Sequence, residues 1–311
     1  MWRRQTAPDV DPRQLRNQVN RSIDSMENAT VVSDTVSSAK VNVAAQAAGD
    51  LEMPQVSRFL LGGFHWYLRR LLRKNFNAVR IAKGTRPALH ADQAVVCFVN
   101  HPGWWDPLLA FLSNQLCFRD RTVYTPIDKK SLDQYPVFRR LGFYGIDMDS
   151  IDGARQFLGV TRRLLQDTSS AIWITPGGRF SDVRQRTSFQ PGLAHIAASR
   201  QNATLLPVAF EYTFWEERTP EALIEFGAPI DIREQHRSKA DWQGYLEDCL
   251  ERTQASLAEK VISRDYQRFD LLLGGSAGVG GVYDVMRRAR ALIRMRAFNP
   301  RHGRSEGISH D

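Results

Sequence analysis

A histidine and an aspartate lie close together in the sequence, in a setting that suits acid–base chemistry. Asn100-His101 ends a short apolar run, and Asp106 follows five positions after the histidine, directly before Pro107. A neutral imidazole can take the proton of an attacking hydroxyl group, and a carboxylate on its other ring nitrogen fixes the tautomer and stabilises the imidazolium that forms. The pair therefore predicts a general base, His101, oriented by Asp106.

Both residues also have a purely structural interpretation. Asp106 followed by Pro107 is a good pair for the N-cap and first turn of a helix, and His101 would then be an ordinary loop histidine. The setting favours chemistry, because the apolar run 94–99 reads as a buried strand that ends just before His101. In open α/β sheets, functional sites cluster beyond the carboxyl ends of the strands.

Short apolar runs and stretches with helical spacing alternate from about residue 78 to residue 235. This alternation predicts an α/β fold in which a largely parallel mixed sheet is flanked by helices. The predicted strands are 94–99, 122–126, 171–175 and 205–212, and the predicted helices are 108–116, 154–166, 194–200 and 242–265.

The remaining segments differ from this α/β domain, which we place at 77–235, in composition. Residues 1–54 are polar and predict a flexible tail, and residues 301–311 predict a second tail. Residues 236–300 predict a helical extension, which contains an uncharged glycine-rich run at 271–283 and a basic helix at 285–296. We interpret the glycine-rich run as an interfacial or packing segment, too short to span a bilayer.

The segment 55–76 combines apolar and aromatic residues at helical spacing with arginines and lysine between them. Two interpretations fit this pattern equally well: an interfacial helix that faces a membrane, and a helix that covers the core with solvated arginines outside. With no run of about 18 apolar residues in the chain, a membrane contact would be peripheral.

Charge and cysteine content narrow the class of protein. The formal net charge is +8, which is compatible with nucleic acid, anionic lipid or a phosphorylated substrate. No zinc pattern, RNP-like motif or basic zipper accompanies the charge, so we expect no nucleic-acid partner. The three cysteines, Cys97, Cys117 and Cys249, are scattered, predict no metal site and favour a reducing compartment. The first 20 residues contain no apolar stretch typical of a signal peptide.

Four ordered blocks carry a resemblance to a known family. After Asn100-His101-x4-Asp106 come 129–138 with 141–148, then 173–181 (Trp-Ile-Thr-Pro-Gly-Gly-Arg-Phe-Ser), then 205–209. In this order the blocks resemble the four motifs of the glycerolipid acyltransferases, which include the 1-acylglycerol-3-phosphate acyltransferases, over about residues 75–230. The resemblance implies that His101 is the base, that Asp106 is its partner, that no acyl-enzyme intermediate forms, and that 77–235 is the acyltransferase domain.

The chain departs from the family pattern at four positions. Gly103 stands where a serine is common, Met148 where the second motif usually ends in arginine, and Gly177 where the third motif has glutamate. The arginine of the third motif would fall on Phe180, and the basic group lies one position earlier, at Arg179. In the family these charged groups help to hold the phosphate of the acceptor, so the departures leave the acceptor open.

Five residues are candidate substrate-binding groups. Arg179 and Lys130 are cations that suit an anionic donor or acceptor, and Trp104 is a candidate lining residue of the acyl or acceptor channel. Gly177 and Gly178 allow backbone amides to approach an anion or oxyanion, or else they only form a tight turn after Pro176.

The resemblance implies an O-acyltransferase that moves a fatty acyl group from acyl-CoA or acyl-carrier protein to the hydroxyl of a lysophospholipid or related lipid. Acylation of a lipid without phosphate, such as a glycolipid or carotenoid glycoside, and a non-catalytic lipid-binding protein on the same fold remain alternatives. We expect no cofactor beyond the acyl donor, and a cytoplasmic, peripheral location on the inner face of the cell membrane.

Overall fold

The computed structural model of the protein describes residues 51–148 and 150–275. Residues 1–50 of the predicted tail 1–54, the predicted tail 301–311, and the part of the predicted helical extension from 276 to 300 lie outside the described residues.

Strands and helices alternate along the described chain. The strands are β1 Ala78–Ala82, β2 Ala94–Val99, β3 Thr122–Asp128, β4 Phe143–Ile146, β5 Ser170–Ile174, β6 Ala203–Thr213, β7 Glu221–Phe226, β8 Ile230–Asp231 and β9 Phe269–Gly274. The α-helices are α1 Arg58–Asn75, α2 Asp106–Cys117, α3 Lys129–Gln134, α4 Ile151–Leu164, α5 Gly192–Ala198 and α6 Lys239–Ser263. Short 3₁₀ segments occur at Pro136–Leu141, Ile232–Glu234 and Tyr266–Arg268.

The strands form one mixed sheet in the order β4-β3-β5-β2-β6-β7-β1-β9, and β8 pairs with the start of β6. Strand β2 is parallel to both β5 and β6, β5 is parallel to β3, and β3 is parallel to β4. The pairs β6–β7, β6–β8 and β1–β9 are antiparallel. The predicted fold, a largely parallel mixed sheet flanked by helices, is confirmed. Because β2, β5 and β6 run in one direction, their carboxyl ends meet at one edge.

Helices cover both faces of the sheet. Alternate residues of β2 point to opposite faces, so that Val96 and Phe98 pack with α4, α5 and α6, whereas Val95 and Cys97 pack with α1 and α2. A strand covered on both faces buries every side chain, which explains why β2 is a continuous apolar run without polar alternation.

The sheet extends beyond the predicted domain boundary at residue 235. Strand β9 lies within the predicted helical extension, yet it pairs with β1 as an edge strand, so the first part of the glycine-rich run packs into the sheet. Gly275 follows it with its backbone N–H bound to the carbonyl of Asn77. A Cβ at Gly275 would lie 1.7 Å from the carbonyl oxygen of Phe76, so only glycine fits this close approach.

Helix α1 occupies most of the predicted amphipathic segment. Ser57 caps its first turn, and Leu68 and Leu72 are buried against the core. Phe59 and Trp66 are 88% and 69% exposed on the other side of the helix. Across the described residues, no helix has the length and apolar character needed to cross a membrane.

A buried ion pair joins β1 to β7 near the edge of the sheet. Arg80 Nε donates to Glu221 Oε2 at 3.1 Å, and both side chains are almost fully shielded from water. Asn77 donates a second hydrogen bond to Glu221, and the Arg80 guanidinium lies 4.6 Å from the centre of the Tyr266 ring. Glu221 is therefore a buried anion whose charge is balanced by one cation.

Replacing Arg80 by methionine should destabilise the fold by about 3–5 kcal/mol, because the carboxylate of Glu221 would stay buried without its counter-charge. Urea unfolding followed by circular dichroism measures the change. The double variant Arg80→Met/Glu221→Gln should recover most of the loss, since it removes the uncompensated charge. Equal stability of Arg80→Met and the unaltered protein would contradict this account.

Candidate active site

The site begins where β2 ends, at a side chain that continues the hydrogen bonding of the sheet. Asn100 Nδ2 donates to the carbonyl oxygen of Phe210 at 2.9 Å, and the Phe210 N–H donates to Asn100 Oδ1 at 2.8 Å. The buried amide thus replaces one backbone pair between β2 and β6. It fixes the point at which the chain leaves the sheet, and His101 is the next residue.

His101 and Asp106 are in direct contact. His101 Nδ1 lies 2.5 Å from Asp106 Oδ2, and the side chain of Asp106 is 2% exposed whereas that of His101 is 20% exposed. Helix α2 starts at Asp106, and the preceding residue, Trp105, makes no side-chain cap. The expectation of Asp106 as an N-cap is therefore wrong: its carboxylate turns towards the imidazole and not back onto the helix.

Two further donors hold the carboxylate of Asp106. The Gly103 N–H donates to Oδ2 at 3.1 Å, and the Tyr212 hydroxyl donates to Oδ1 at 2.5 Å. Burial raises the pKa of Tyr212 well above its usual value of 10.0, and the adjacent negative charge of Asp106 raises it further. Tyr212 therefore stays protonated and keeps donating, so that both oxygens of the buried carboxylate are satisfied.

This arrangement defines the chemistry open to the imidazole. A carboxylate can only accept hydrogen bonds, so Nδ1 of His101 carries the proton that bonds Asp106, and in the neutral form of the ring Nε2 has the free lone pair. The ring is partly exposed at the carboxyl edge of the sheet. It is therefore placed to act as a general base towards a group that arrives from outside.

The segment of the third motif packs directly on His101. The Ser181 N–H donates to the carbonyl oxygen of His101 at 2.9 Å. The ring of Phe180 lies 4.3 Å from the imidazole, centre to centre, and is itself 61% exposed. Phe180 thus forms one apolar wall beside the base, at the position where the family pattern has an arginine.

The glycines of this segment form the tight turn expected after Pro176. The Gly178 N–H donates to the carbonyl of Thr175 at 3.0 Å, and Gly178 has a φ of +66°, which favours glycine. A Cβ at Gly177 would lie 2.7 Å from Cγ2 of Thr187, a short β-branched side chain with little room to move. The glutamate of the family pattern does not fit here without a shift.

The other predicted binding residues lie around this edge without touching the pair. Arg179 is exposed and Lys130 is exposed on α3, and neither forms an ion pair with another described residue. Trp104 is exposed and packs edge-to-face on Trp105, which in turn contacts Phe76. Their roles in binding stay predictions.

Ion pairs neutralise two other arginines of the third-motif loop. Arg184 pairs with Asp182, and its guanidinium holds the pKa of that carboxyl well below the usual range. Arg186 bonds Asp248 and Glu251 on α6. Among the described residues, no group of His, Cys, Asp or Glu side chains is arranged to hold a metal ion.

Sequence reasoning missed Tyr212, and it gave no role to Asn100 or Phe180. Tyr212 is separated from Asp106 by 106 positions, so no local spacing points to it. One signal was present: Tyr212 ends the predicted strand 205–212, which contains the fourth motif, and a polar tip at a carboxyl edge is a candidate site residue.

Comparisons with known proteins give one family-model match. A family model described as Acyltransferase matches residues 80–211, a range that runs from β1 to β6 and contains both His101 and Asp106. The match confirms the predicted enzyme class, an acyltransferase. A comparison with curated proteins gives no match.

Among solved structures, the chain is similar to the 1-acyl-sn-glycerophosphate (LPA) acyltransferase PlsC from Thermotoga maritima, with 14% identity and a TM-score of 0.47. That similarity covers 65% of this chain and 80% of the other.

Replacing Tyr212 by phenylalanine should lower kcat by about tenfold, equivalent to about 1.4 kcal/mol, with little change in KM, because Asp106 loses a donor while the substrate loses no contact. The acid limb of the pH–rate profile should move to higher pH, since a carboxylate without this hydrogen bond holds the imidazolium more strongly. Steady-state kinetics over a pH series measures both. An unchanged kcat and profile would contradict a positioning role.

Unfolding experiments on the same variant provide the control for stability. The pKa of Tyr212 is raised in the folded state. The Tyr212 hydroxyl therefore stabilises the fold at pH values below its usual pKa of 10.0, and this stabilisation is lost as the pH rises above that value. The stability difference between the unaltered protein and Tyr212→Phe should therefore shrink above that pH.

Proposed function

We propose that the enzyme transfers a fatty acyl group from the thioester of acyl-CoA or acyl-carrier protein to a hydroxyl group of a lipid at a membrane surface. The observation that carries this proposal is the contact of His101 with the buried carboxylate of Asp106, at the open edge of a domain that matches the acyltransferase family.

The proposed reaction needs one base and no covalent enzyme intermediate. Nε2 of His101 takes the proton of the acceptor hydroxyl while its oxygen attacks the thioester carbonyl carbon. The C–S bond then breaks, the proton passes from the imidazolium to the departing sulfur, and an ester and a free thiol are released. Asp106 stabilises the transient imidazolium throughout.

The proposed donors for the developing oxyanion and for the anionic groups of the substrates lie on neighbouring segments. The Gly177 N–H forms no bond with another described backbone group, and Gly177 sits in the turn that leads to Phe180. We propose this amide as an oxyanion donor. Arg179 and Lys130, both without an ion-pair partner among the described residues, are the proposed contacts for phosphate groups of the acyl donor or of the acceptor.

Two acceptor classes remain candidates, a lysophospholipid and a lipid without phosphate such as a glycolipid or carotenoid glycoside. The second is favoured by the side chains at the two positions where the family has arginines. Phe180 covers the imidazole with an apolar ring, and Met148 lies exposed within 3.7 Å of the Cβ position of Gly178. An apolar side chain gives no charge-assisted hydrogen bond to a phosphate, so these positions favour an uncharged acceptor.

We also propose that α1 holds the enzyme on the cytoplasmic face of the cell membrane. Its exposed side carries Phe59, Trp66 and Tyr67, followed by Arg70 and Arg73. Aromatic residues next to arginines on one helical face are typical of an interfacial helix, in which the rings enter the headgroup region and the cations meet anionic lipids.

Replacing His101 by alanine should reduce acyl transfer by about 100- to 10,000-fold, because a positioned base contributes this much to proton transfer. Asp106→Asn should cause a loss of comparable order, since the amide no longer fixes the required tautomer. The measurement uses labelled acyl-CoA with a panel of lysophospholipids, glycolipids and other hydroxyl lipids. The exposed His236, replaced by alanine, is the matched control and should keep full activity.

An undiminished rate in His101→Ala would refute this assignment of the base. Binding to lipid vesicles without turnover on any acceptor would instead favour a non-catalytic lipid-binding protein.

The double variant Phe59→Ser/Trp66→Ser should bind vesicles at least about tenfold more weakly than the unaltered protein, because two rings no longer enter the bilayer. Sedimentation with vesicles that contain phosphatidylglycerol measures the partitioning. Ile262→Ser on α6 is a matched control, since Ile262 is equally exposed but lies on another helix. An equal loss of vesicle binding in both variants would argue against α1 as the element that docks on the membrane.

A further inference from the structure

A cavity of about 400 Å³ lies away from the catalytic pair, between α1, the end of α2 and the start of β3. Leu61, Leu116 and Val123 form its apolar side. Its volume falls within the range of about 300–1,000 Å³ that is usual for small-molecule sites.

The cavity is separate from the active site. Strand β3 runs parallel to β5 and hence to β2, so its first residues lie at the amino edge of the sheet, whereas His101 follows the carboxyl end of β2. Helix α2 spans the distance between the two places, since it begins at Asp106 and its last residues line the cavity. Its 12 residues correspond to about 18 Å.

Three guanidinium groups line this cavity, and no carboxylate does. Arg121 donates to the backbone carbonyls of His90, Gln93 and Thr168, which fix its position, and nearby Asp120 offsets part of its charge without forming an ion pair. Arg69 donates only through Nε, to the side chain of Gln115, so its two terminal nitrogens remain available.

The third guanidinium, Arg119, makes no ion pair with another described residue, and its neighbour in sequence, Asp120, does not line the cavity. The local charge therefore favours an anion.

A histidine in the same wall has an unused polar atom. Nε2 of His65 is shielded from water and forms no hydrogen bond within the described structure. Burial lowers the pKa of His65, and the positive charge of Arg69 lowers it further. The ring of His65 therefore lines the cavity without offering Nε2 to it, and its titration responds to the charge inside the cavity.

We propose that this cavity binds a phosphate group, held by Arg69 and Arg119 beside the ring of His65, and that its physiological source is the headgroup of an anionic phospholipid. Leu61, His65 and Arg69 recur every four residues along one flank of α1, next to the exposed side that carries Trp66. A headgroup at the surface that α1 contacts would thus lie beside the cavity. This choice of source rests on the proposed docking of α1, whereas phosphate binding itself does not.

Titration of the full chain with inorganic phosphate, followed by the NMR signals of the His65 ring, tests the site. Binding should saturate and should raise the pKa of His65, because the anion opposes the effect of Arg69. In the variant Arg69→Gln/Arg119→Gln the affinity should fall at least about tenfold, equivalent to about 1.4 kcal/mol. Arg121 is left unchanged in this variant because it secures three backbone carbonyls.

The matched control is Arg218→Gln/Arg264→Gln, which removes the same charge from exposed positions outside α1 that do not line the cavity. It should bind inorganic phosphate as the unaltered protein does. Absence of saturable binding at the His65 signals would overturn the proposal. Equal loss of affinity in both double variants would also overturn it, since phosphate would then respond only to the overall positive charge of the protein.

Vesicles distinguish the two sources of phosphate. The protein should prefer vesicles that contain phosphatidylcholine and phosphatidylglycerol over vesicles of phosphatidylcholine alone. If a lipid headgroup is the ligand, this preference should fall further in the cavity variant, Arg69→Gln/Arg119→Gln, than in the control. Equal preference in both, with phosphate binding still lost only in the cavity variant, would support the phosphate site and overturn the lipid source. His101→Ala should bind phosphate normally, so failure of the proposed catalysis is distinguishable from failure of this site.

Discussion

The site depends on the cost of burying one carboxylate. Asp106 is almost fully removed from water, and an ionised carboxylate in such a place is tolerated only when its oxygens are hydrogen-bonded. Three donors from separate parts of the fold meet this need: the imidazole of His101 after β2, the backbone N–H of Gly103 in the loop, and the hydroxyl of Tyr212 at the end of β6. The same bonds that satisfy Asp106 also orient His101, so stability and the geometry of the proposed catalytic pair have a common origin.

Sequence reasoning identified the members of this arrangement that are close together in the chain. His101 and Asp106 are five positions apart, and the turn between a strand and a helix is enough to bring them into contact. Tyr212 and Asn100 depend on the alignment of β2 with β6, in which Val99 pairs with Val208. That register brings together residues more than 100 positions apart, and a single sequence does not encode it in any local spacing.

The same contrast between local and long-range information explains the fold. Strands β2, β5 and β6 were predictable because both faces of the central sheet are covered, which makes each of them an apolar run. Strand β9 was not, because it is an edge strand within a glycine-rich run, and what makes it a strand is its pairing with β1, nearly 200 positions away. For this reason the predicted domain boundary at residue 235 lies before the last strand of the sheet. The predicted α/β class did not depend on β9.

Helix α1 connects the two functional regions proposed for the molecule. At its end, Phe76 contacts both Trp105 and Tyr212, which adjoin His101 and Asp106, and in its middle Arg69 and His65 line the basic cavity. An enzyme whose acceptor lies in a membrane needs its base at a fixed height and angle relative to the lipid surface, because a misplacement of about 1 Å between reacting groups is costly. A helix that packs against both regions fixes their relative position. Aromatic side chains alone would set the depth of insertion, while a phosphate bound on one flank of α1 would also set its rotation, and hence the direction from which the acceptor hydroxyl reaches His101.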